Sequence, residues 1–306
     1  MTTVMSTLFA LACTPASGAS EPGRVSADFW DHWGDGRAEL SAYRLTTPRY
    51  GQSRSGQVTL VFVTERFTEA QRVKSDGGHG DEYPILKVNE VRDFQTGIYD
   101  YNVMTSTFLR LDGGAPWGEP VKVSMSMQEW CGHVYEHVLP VGDQLAWTQH
   151  SYFDGEGDRV VDLGRREAGV HADALPALVR GLVAPVVAPG QSKTLDGLST
   201  LVSGRLRHRA PRWSALTIAV AAKTHAQSTP AGTFDVRDVT TEHEGITTTW
   251  WVETARPHRI IGWSSTRGER AELLGSERMA YWNQSSEGDE RALSSLGLPP
   301  PSFMGR

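Results

Sequence analysis

The chain has 306 residues, a formal net charge of -6 and 39% hydrophobic residues. This size suffices for one large β domain or two ordinary domains. The acidic balance argues against a nucleic-acid-binding protein, which would usually carry a basic stripe. No apolar run in the sequence approaches the roughly 20 residues that a membrane-spanning helix needs.

The first 28 residues are predicted to be an export signal followed by a linker. A short apolar piece, L-F-A-L-A, ends just before Cys13, and small and polar residues follow. This order is typical of a bacterial lipoprotein signal, in which the cysteine is lipidated, although the basic region that usually precedes it is missing. We therefore expect lipidation at Cys13, a membrane contact through that lipid, and a periplasmic or outer-membrane-anchored location. The alternative is a disordered tail with an incidental cysteine.

Residues 29–183 form a predicted N-terminal antiparallel β domain. Near its start, Phe29, Trp30 and Trp33 are expected to pack onto the sheet as a short helix or turn. Alternating or β-branched segments bounded by turn residues then predict a series of strands. Because these strands are neighbours in sequence and two exceed ten residues, they predict a strongly curved antiparallel sheet of half-barrel or barrel-like form. The predicted strands are 38–45, 57–64, 85–94, 98–111, 121–137 and 144–153.

The second half is again predicted to be mainly β. One helix is expected over 172–182, with Pro176 in its first turn, and the Pro- and Val-rich stretch 184–192 is the best internal boundary. An antiparallel meander over 193–288 follows, either as a second domain or packed with the first as one unit, and 289–306 is predicted to be a flexible tail. The expected fold class is thus mainly β with one or two short helices. Predicted strands here are 198–207, 215–222, 233–240, 246–254, 258–266, 271–274 and 277–282.

The stretch 121–137 carries the densest set of chemically useful side chains. Its early residues alternate, with Val123, Met125 and Met127 on one face, as in a strand with one buried side. If this strand continues unbroken through Trp130, polar groups follow on the same inward face, where burial costs several kcal/mol unless they are paired or wet. We therefore predict a ligand pocket, whereas a bulge near Trp130 would point the same groups at water. The predicted ligand-binding residues are Glu129, Cys131, His133 and Tyr135, with Tyr99 and Tyr101 opposite.

Three other interpretations of these residues stay open. Cys131, His133 and His137 are good zinc ligand types, but their spacing matches no standard zinc signature, so no cofactor is predicted and zinc is the alternative. A Cys131 thiolate beside His133 could act as a nucleophile, with Glu129 orienting the imidazole. The cluster could also be a buried, hydrogen-bonded structural feature.

Several motifs carry a family resemblance. G-Q-V-T-L-V-F-V-T-E at 56–65, F-Q-T-G-I-Y at 94–99 and Q-E-W-C-G-H-V-Y at 128–135 resemble an uncharacterised group of bacterial secreted or lipoprotein-like proteins, often labelled "septum formation inhibitor Maf". The second half, with T-T-W-W-V-E-T at 248–254, is loosely similar to the lipoprotein-carrier half-barrels of the Lol pathway. The chain lacks the S-x-S-P-R-R-type loop and α/β alternation of the genuine Maf nucleotide pyrophosphatases. The resemblance therefore implies an envelope protein and assigns no catalytic residues.

Together these observations predict a non-enzymatic cell-envelope protein that binds an apolar or amphipathic small molecule or lipid in a curved β-sheet pocket. One alternative is a metal- or thiol-dependent hydrolase that uses Glu129, Cys131 and His133. The other is a structural envelope protein that carries the Maf label without Maf chemistry.

Overall fold

A computed structural model describes residues 25–115, 118–166, 169–183 and 187–299. Cys13, most of the predicted export signal and residues 300–306 lie outside the described residues. Within them, no helix is both long and apolar enough to cross a membrane.

A single fifteen-stranded sheet dominates the structure. Its strands run to 17 residues in β2 and β11, and the fold class predicted from the sequence, mainly β with long curved antiparallel sheets, is confirmed. The strands are β1 Ala38–Arg49, β2 Gln52–Thr68, β3 Glu82–Thr96, β4 Tyr99–Arg110, β5 Lys122–Glu129, β6 Gly132–Val141, β7 Gln144–Ser151, β8 Arg159–Asp162, β9 Val170–His171, β10 Ser192–Leu198, β11 Trp213–Thr229, β12 Gly232–His243, β13 Ile246–Glu253, β14 Ile260–Ser265 and β15 Arg270–Met279.

The sheet consists of two meanders, β1–β8 and β9–β15, which are joined because β1 pairs with β15. From β1 the sheet runs through β2 to β8 in one direction, and through β15 back to β9 in the other. All pairs are antiparallel except β9 with β10, which is parallel. Because β1 pairs with β15 as well as with β2, segments 29–183 and 193–288 contribute to one continuous sheet.

The sheet curves until its two edges lie close together. Trp213 on β11 donates its Nε1 hydrogen to the carbonyls of Leu163 and Gly164, just beyond β8, at 3.1 and 2.7 Å. The His171 amide on β9 donates to the Gly118 carbonyl at 3.2 Å. No ladder joins β8 to β9 within the described strands, so the sheet is barrel-like without being closed.

The described residues also contain three short α-helices: α1 Ala27–Trp33, α2 Leu175–Leu178 and α3 Leu201–Leu206. We call the sheet face that packs against α2 the inner face, and it carries the largest hydrophobic core. Phe29 and Trp33 of α1 are buried in that core, as predicted, whereas Trp30, which was predicted to pack there too, is exposed. At the α1 end, the buried Arg180 guanidinium donates to both carboxylate oxygens of Glu39 at 2.8 and 3.0 Å.

One local prediction is wrong. Residues 198–207 do not form a strand; they contain α3, whose N-terminus is capped by Thr200, because its hydroxyl accepts a hydrogen bond from the Ser203 amide at 3.1 Å. The segment predicted to be a flexible tail, 289–306, begins with a 3₁₀ helix, Asp289–Leu296. Buried Leu296 covers the outer side of β1 and β2, where Leu40 and Val61 would otherwise face water.

Candidate functional site

The stretch 121–137 is two strands, and the prediction that its pleat stays in phase through Trp130 is wrong. β5 ends at Glu129 and β6 begins at Gly132, and these two residues pair across a turn made by Trp130 and Cys131. The turn changes which positions face inward, since Met127 pairs with Val134 and both are buried. Inward residues are therefore odd-numbered on β5 and even-numbered on β6.

This change of phase moves the predicted ligand-binding residues of β6 to the outer face. Cys131 and His133 are exposed, and Tyr135 retains 38% of its accessible surface. The Tyr135 ring lies 5.7 Å from the ring of His137 and 6.4 Å from that of His150, both outward-facing on β6 and β7. Glu129, Cys131, His133 and Tyr135 thus share no enclosed face.

The zinc and thiol interpretations lose their geometric basis for the same reason. The described residues contain no group of three or more His, Cys, Asp or Glu side chains placed to hold a metal ion. Hydrogen bonding and the negative charge of Glu129 raise the pKa of the Cys131 thiol. The thiol is therefore held protonated, which weakens it as a nucleophile.

Glu136 is the polar residue of β6 that faces inward, between Val134 and Val138. Its carboxylate accepts hydrogen bonds from Trp147 Nε1 and Gln149 Nε2, both at 2.9 Å. Burial raises its pKa, and these two donors oppose that shift. The alternation Val134, Glu136, Val138 is visible in the sequence and could have revealed this phase.

Tyr99 and Tyr101 lie on β4, and Tyr101 is buried. The Tyr101 ring stacks on Phe94 with centroids 4.8 Å apart, and its hydroxyl accepts a hydrogen bond from Arg49 Nη2 at 2.9 Å. Tyr99 packs against the same cluster, 6.1 Å from Tyr101. Neither tyrosine lines the cavity described next, but Tyr101 positions Arg49, which does.

A cavity of about 370 Å³ lies between the inner face and helices α2 and α3. Small-molecule sites span about 300–1,000 Å³, so this one is at the small end of the range. Its walls come from strands at both ends of the chain and from the two helices. They include Thr47, Arg49, Val88, Glu90, Arg92, Thr105, Thr107, Asp173, Leu175, Val202, Ser203, Leu206, Thr241, Glu244, Ile246, Thr248, Trp250, Trp263, Arg267 and Glu269.

Two tryptophans form an aromatic wall. Trp250 and Trp263 pair on β13 and β14, with ring centroids 5.4 Å apart. Their indole hydrogens are directed to protein acceptors, Trp250 to Thr241 Oγ1 at 3.1 Å and Trp263 to Glu269 Oε1 at 2.9 Å. Because both indole nitrogens have partners, what the rings offer the cavity is mainly apolar surface.

A three-member ion cluster lies on the cavity wall. Arg92 on β3 donates to Glu269 Oε2 at 2.6 Å and to Glu90 Oε1 at 2.7 Å. Burial would raise the pKa of Glu269, but Arg92 and the hydrogen bonds from Trp263 and Thr47 outweigh it and lower the pKa. Arg92 thus offsets one of the two carboxylate charges, and the cluster keeps one net negative charge within the wall.

Asp173 presents a carboxyl group to the cavity. It precedes α2 in a 3₁₀ turn, and its Oδ2 accepts a hydrogen bond from the Leu201 amide at 3.3 Å. Asp173 is partly accessible and lines the cavity. Burial raises its pKa to about 8, helped by the charges of Glu90 and Glu136. At neutral pH the group is mostly a neutral acid that can donate a hydrogen bond.

The cavity mouth lies at one end of the sheet. In an antiparallel meander successive turns alternate between the two ends, so the β1–β2, β12–β13 and β14–β15 turns share an end. Arg49, Glu244 and Arg267, which lie at these turns, all line the cavity. α3 also reaches this end, because Arg49 Nη1 donates to the Leu206 carbonyl at 3.3 Å.

None of the six predicted ligand-binding residues lines the cavity. The residues that do line it come from segments far apart in the chain, so a search for neighbouring polar residues could not assemble them. One signal was present, since Glu90 and Arg92 share a face of β3 with the buried Leu86, Val88 and Phe94. Charged residues inside such a pattern indicate a buried pair or a site.

The fold and site define a mainly β protein in which a barrel-like curved sheet encloses a small cavity. No protein-family model matches the chain, and no curated protein matches it. Among solved structures, it is similar to a beta-barrel-like protein of the domain of unknown function DUF1849 from Brucella abortus. That similarity covers 79% of this chain and 97% of the other, at 12% identity and a TM-score of 0.46.

Proposed function

We propose that the protein binds a small apolar or amphipathic molecule in the cavity between the inner face and helices α2 and α3. The observation that carries this proposal is the cavity itself. Ligand sites are concave spaces of about 300–1,000 Å³, and this space measures about 370 Å³. A space of that size, lined by two tryptophans and opening at one end, suits a ligand.

Burial of apolar ligand surface would supply most of the affinity. Each Å² removed from water contributes about 25 cal/mol, and Trp250, Trp263, Val202 and Leu206 offer apolar surface on several sides. A few polar groups would orient the ligand, among them the carboxyl of Asp173. Such binding requires no covalent step, so the function that we propose is that of a carrier or receptor.

The location that we propose is the bacterial cell envelope. This part of the proposal depends on the sequence alone, on the apolar segment that ends before Cys13 and the small-residue linker after it. A lipid on Cys13 would tether the sheet to a membrane and place its cavity beside a source of amphipathic molecules. Mass measurement of the mature N-terminus tests this, since an unmodified residue 1 would contradict it.

Filling the cavity tests the binding proposal. N-phenylnaphthylamine, a neutral dye that fluoresces in apolar surroundings, should bind the wild-type protein saturably. Ser203 lies on α3, lines the cavity and is only partly exposed, so Ser203→Trp should fill the space and abolish binding. Ser192→Trp, at an exposed position on β10 away from the cavity, is the matched control and should bind like the wild type.

The proposal would be contradicted if the wild type and Ser203→Trp bound the dye equally, with circular dichroism showing that both proteins are folded. A wild-type protein that shows no saturable binding would also contradict it. An apolar dye bound elsewhere, for instance on the outer aromatic rings of Tyr135 and Tyr152, would be unaffected by residue 203.

A further inference from the structure

Two arginines at the cavity mouth have no carboxylate partner within the described part of the chain. The Arg49 guanidinium donates only to uncharged oxygens, those of Leu206, Tyr50 and Tyr101, and its Nε is buried with no partner. Arg267, in the β14–β15 turn, lines the cavity and is exposed. Neither guanidinium belongs to any ion pair among the described residues.

These cations are also close enough to repel one another. Loss of hydration and the positive charges of Arg207 and Arg49 lower the pKa of Arg267, while Glu269 opposes them only in part. Arg49 cannot move away easily, since its hydrogen bonds to Tyr101 and Leu206 hold it in place. Like charges held together at a pocket entrance produce a positive potential that favours an anion.

The other charges of the cavity do not cancel this potential. Glu244 already pairs with Arg207 and Arg212, at 2.9 and 2.6 Å. Glu90 and Glu269 are engaged by Arg92. Counted together, these groups carry two more positive than negative charges, in a protein whose formal net charge is -6. The guanidiniums are those of Arg49, Arg92, Arg207, Arg212 and Arg267, and the carboxylates are those of Glu90, Glu244 and Glu269.

We propose that the ligand is an anionic amphiphile, with a carboxylate or phosphate head held by Arg49 and Arg267 at the mouth. Its apolar body lies along Trp250 and Trp263 inside the cavity. This inference depends on the proposed function and adds the charge and the orientation of the ligand. Guanidinium groups suit both heads, because their hydrogen-bond donors form a fork that matches carboxylate and phosphate oxygens.

Displacement of N-phenylnaphthylamine by four ligands with the same ten-carbon chain tests the head group. The set is decanoate, decyl phosphate, decanol and decyltrimethylammonium, each below its micelle concentration. Decanoate or decyl phosphate should displace the dye most strongly, and decyltrimethylammonium most weakly. Whichever anion binds more tightly identifies the head. Added salt should weaken the anions and leave decanol nearly unchanged.

The variant Arg267→Gln tests whether the anionic head group of the ligand binds at the cavity mouth. This exposed residue can be changed without emptying the core, and the variant should bind the preferred anion roughly fivefold more weakly, with less than about a twofold change for decanol. Arg44→Gln changes net charge equally, but Arg44 lies on the outer face, paired with Glu272, so it should leave both affinities unchanged. Arg267→Lys, which retains the charge, should restore part of the loss.

The two proposals fail in different ways. If the dye binds and Ser203→Trp blocks it, but Arg267→Gln weakens the anion and decanol equally or not at all, the anionic head is wrong and cavity binding stands. Stronger displacement by decyltrimethylammonium than by either anion would likewise contradict the anionic head alone. If Ser203→Trp fails to block dye binding, the proposed function itself is contradicted.

Discussion

Arg92 Nη1 lies 2.6 Å from Glu269 Oε2, and this contact joins β3 to the turn before β15 across the inner face. The two residues are 177 positions apart in the chain. Glu90 accepts a hydrogen bond from the same guanidinium, so one arginine links both meanders of the sheet and holds two carboxylates beside the cavity.

We expect Arg92→Met to destabilise the protein by about 3–5 kcal/mol, because removing one partner of a buried ion cluster leaves uncompensated charge. Chemical denaturation should measure the loss. Arg44→Met, which breaks an exposed pair with Glu272, is the control and should cost less than about 1 kcal/mol. Similar losses for the two variants would mean that the Arg92 cluster is not effectively buried.

The carboxyl of Asp173 should make stability depend on pH. Burial raises its pKa from 3.8 to about 8, so between these values the folded state binds a proton that the unfolded chain has released. Its stabilising contribution is complete below about pH 4 and falls by about 1.4 kcal/mol per pH unit as the pH rises toward 8.

Asp173→Asn should remove that slope, since the amide can still accept the hydrogen bond from the Leu201 amide and never ionises. Denaturation curves at several pH values should show a variant more stable than wild type near pH 8 and converging with it near pH 4. Asp76→Asn, at a fully solvated position, should keep the wild-type slope. A wild-type slope in Asp173→Asn would show that the carboxyl ionises normally.

Tyr101 should act on ligand affinity through Arg49. Tyr101→Phe removes the hydroxyl that accepts from Arg49 Nη2 at 2.9 Å, and the guanidinium loses part of its fixed position at the mouth. We expect the variant to lose about 0.5–1.5 kcal/mol of stability. Compared with the wild type, its affinity for decanoate should fall more than its affinity for decanol. Titration calorimetry of both ligands measures the difference, and an equal change for both would contradict a positioning role.

Cys131 should be accessible and dispensable. It occupies the exposed β5–β6 turn, so a maleimide reagent should label it in the native protein without denaturant. Cys131→Ala should change stability by less than about 0.5 kcal/mol and leave dye binding unchanged. Labelling that requires unfolding, or lost dye binding in Cys131→Ala, would restore the inward-facing arrangement that the structure contradicts.

The architecture could be predicted because local sequence patterns indicate where the strands and turns lie. Alternating and β-branched segments between turn residues predicted a curved antiparallel sheet, and the aromatic residues near Phe29 and Trp33 indicated a short helix or turn. The pairing of β1 with β15 could not be predicted in this way, because strands at opposite ends of the chain leave no local signal of their contact.

The hairpin at Trp130 was missed because its turn lacks the usual residues. Two-residue hairpin turns favour Asn-Gly, Asp-Gly or Gly-X, whereas the two turn residues here are Trp130 and Cys131. Without that signal the alternation of β5 extends naturally into β6, which placed His133 and Tyr135 on the wrong face. A one-residue change of phase inverts every later side chain.

The cavity was missed for a different reason. Its lining comes from strands of both meanders and from two short helices, one of which, α3, the sequence predicted as a strand. Arg49 and Arg267 look like ordinary surface residues in the sequence. Only the curvature of the sheet brings them together at one opening.

The position of a bound amphiphile tests the central claim most directly. In crystals grown with ω-bromodecanoate, anomalous scattering locates the bromine at the end of the apolar chain. We predict a bromine peak inside the cavity beside Trp250 and Trp263, with the carboxylate at Arg49 and Arg267. A peak only on the outer face near Tyr135 and Trp130, or an empty cavity at saturating ligand, would contradict the account.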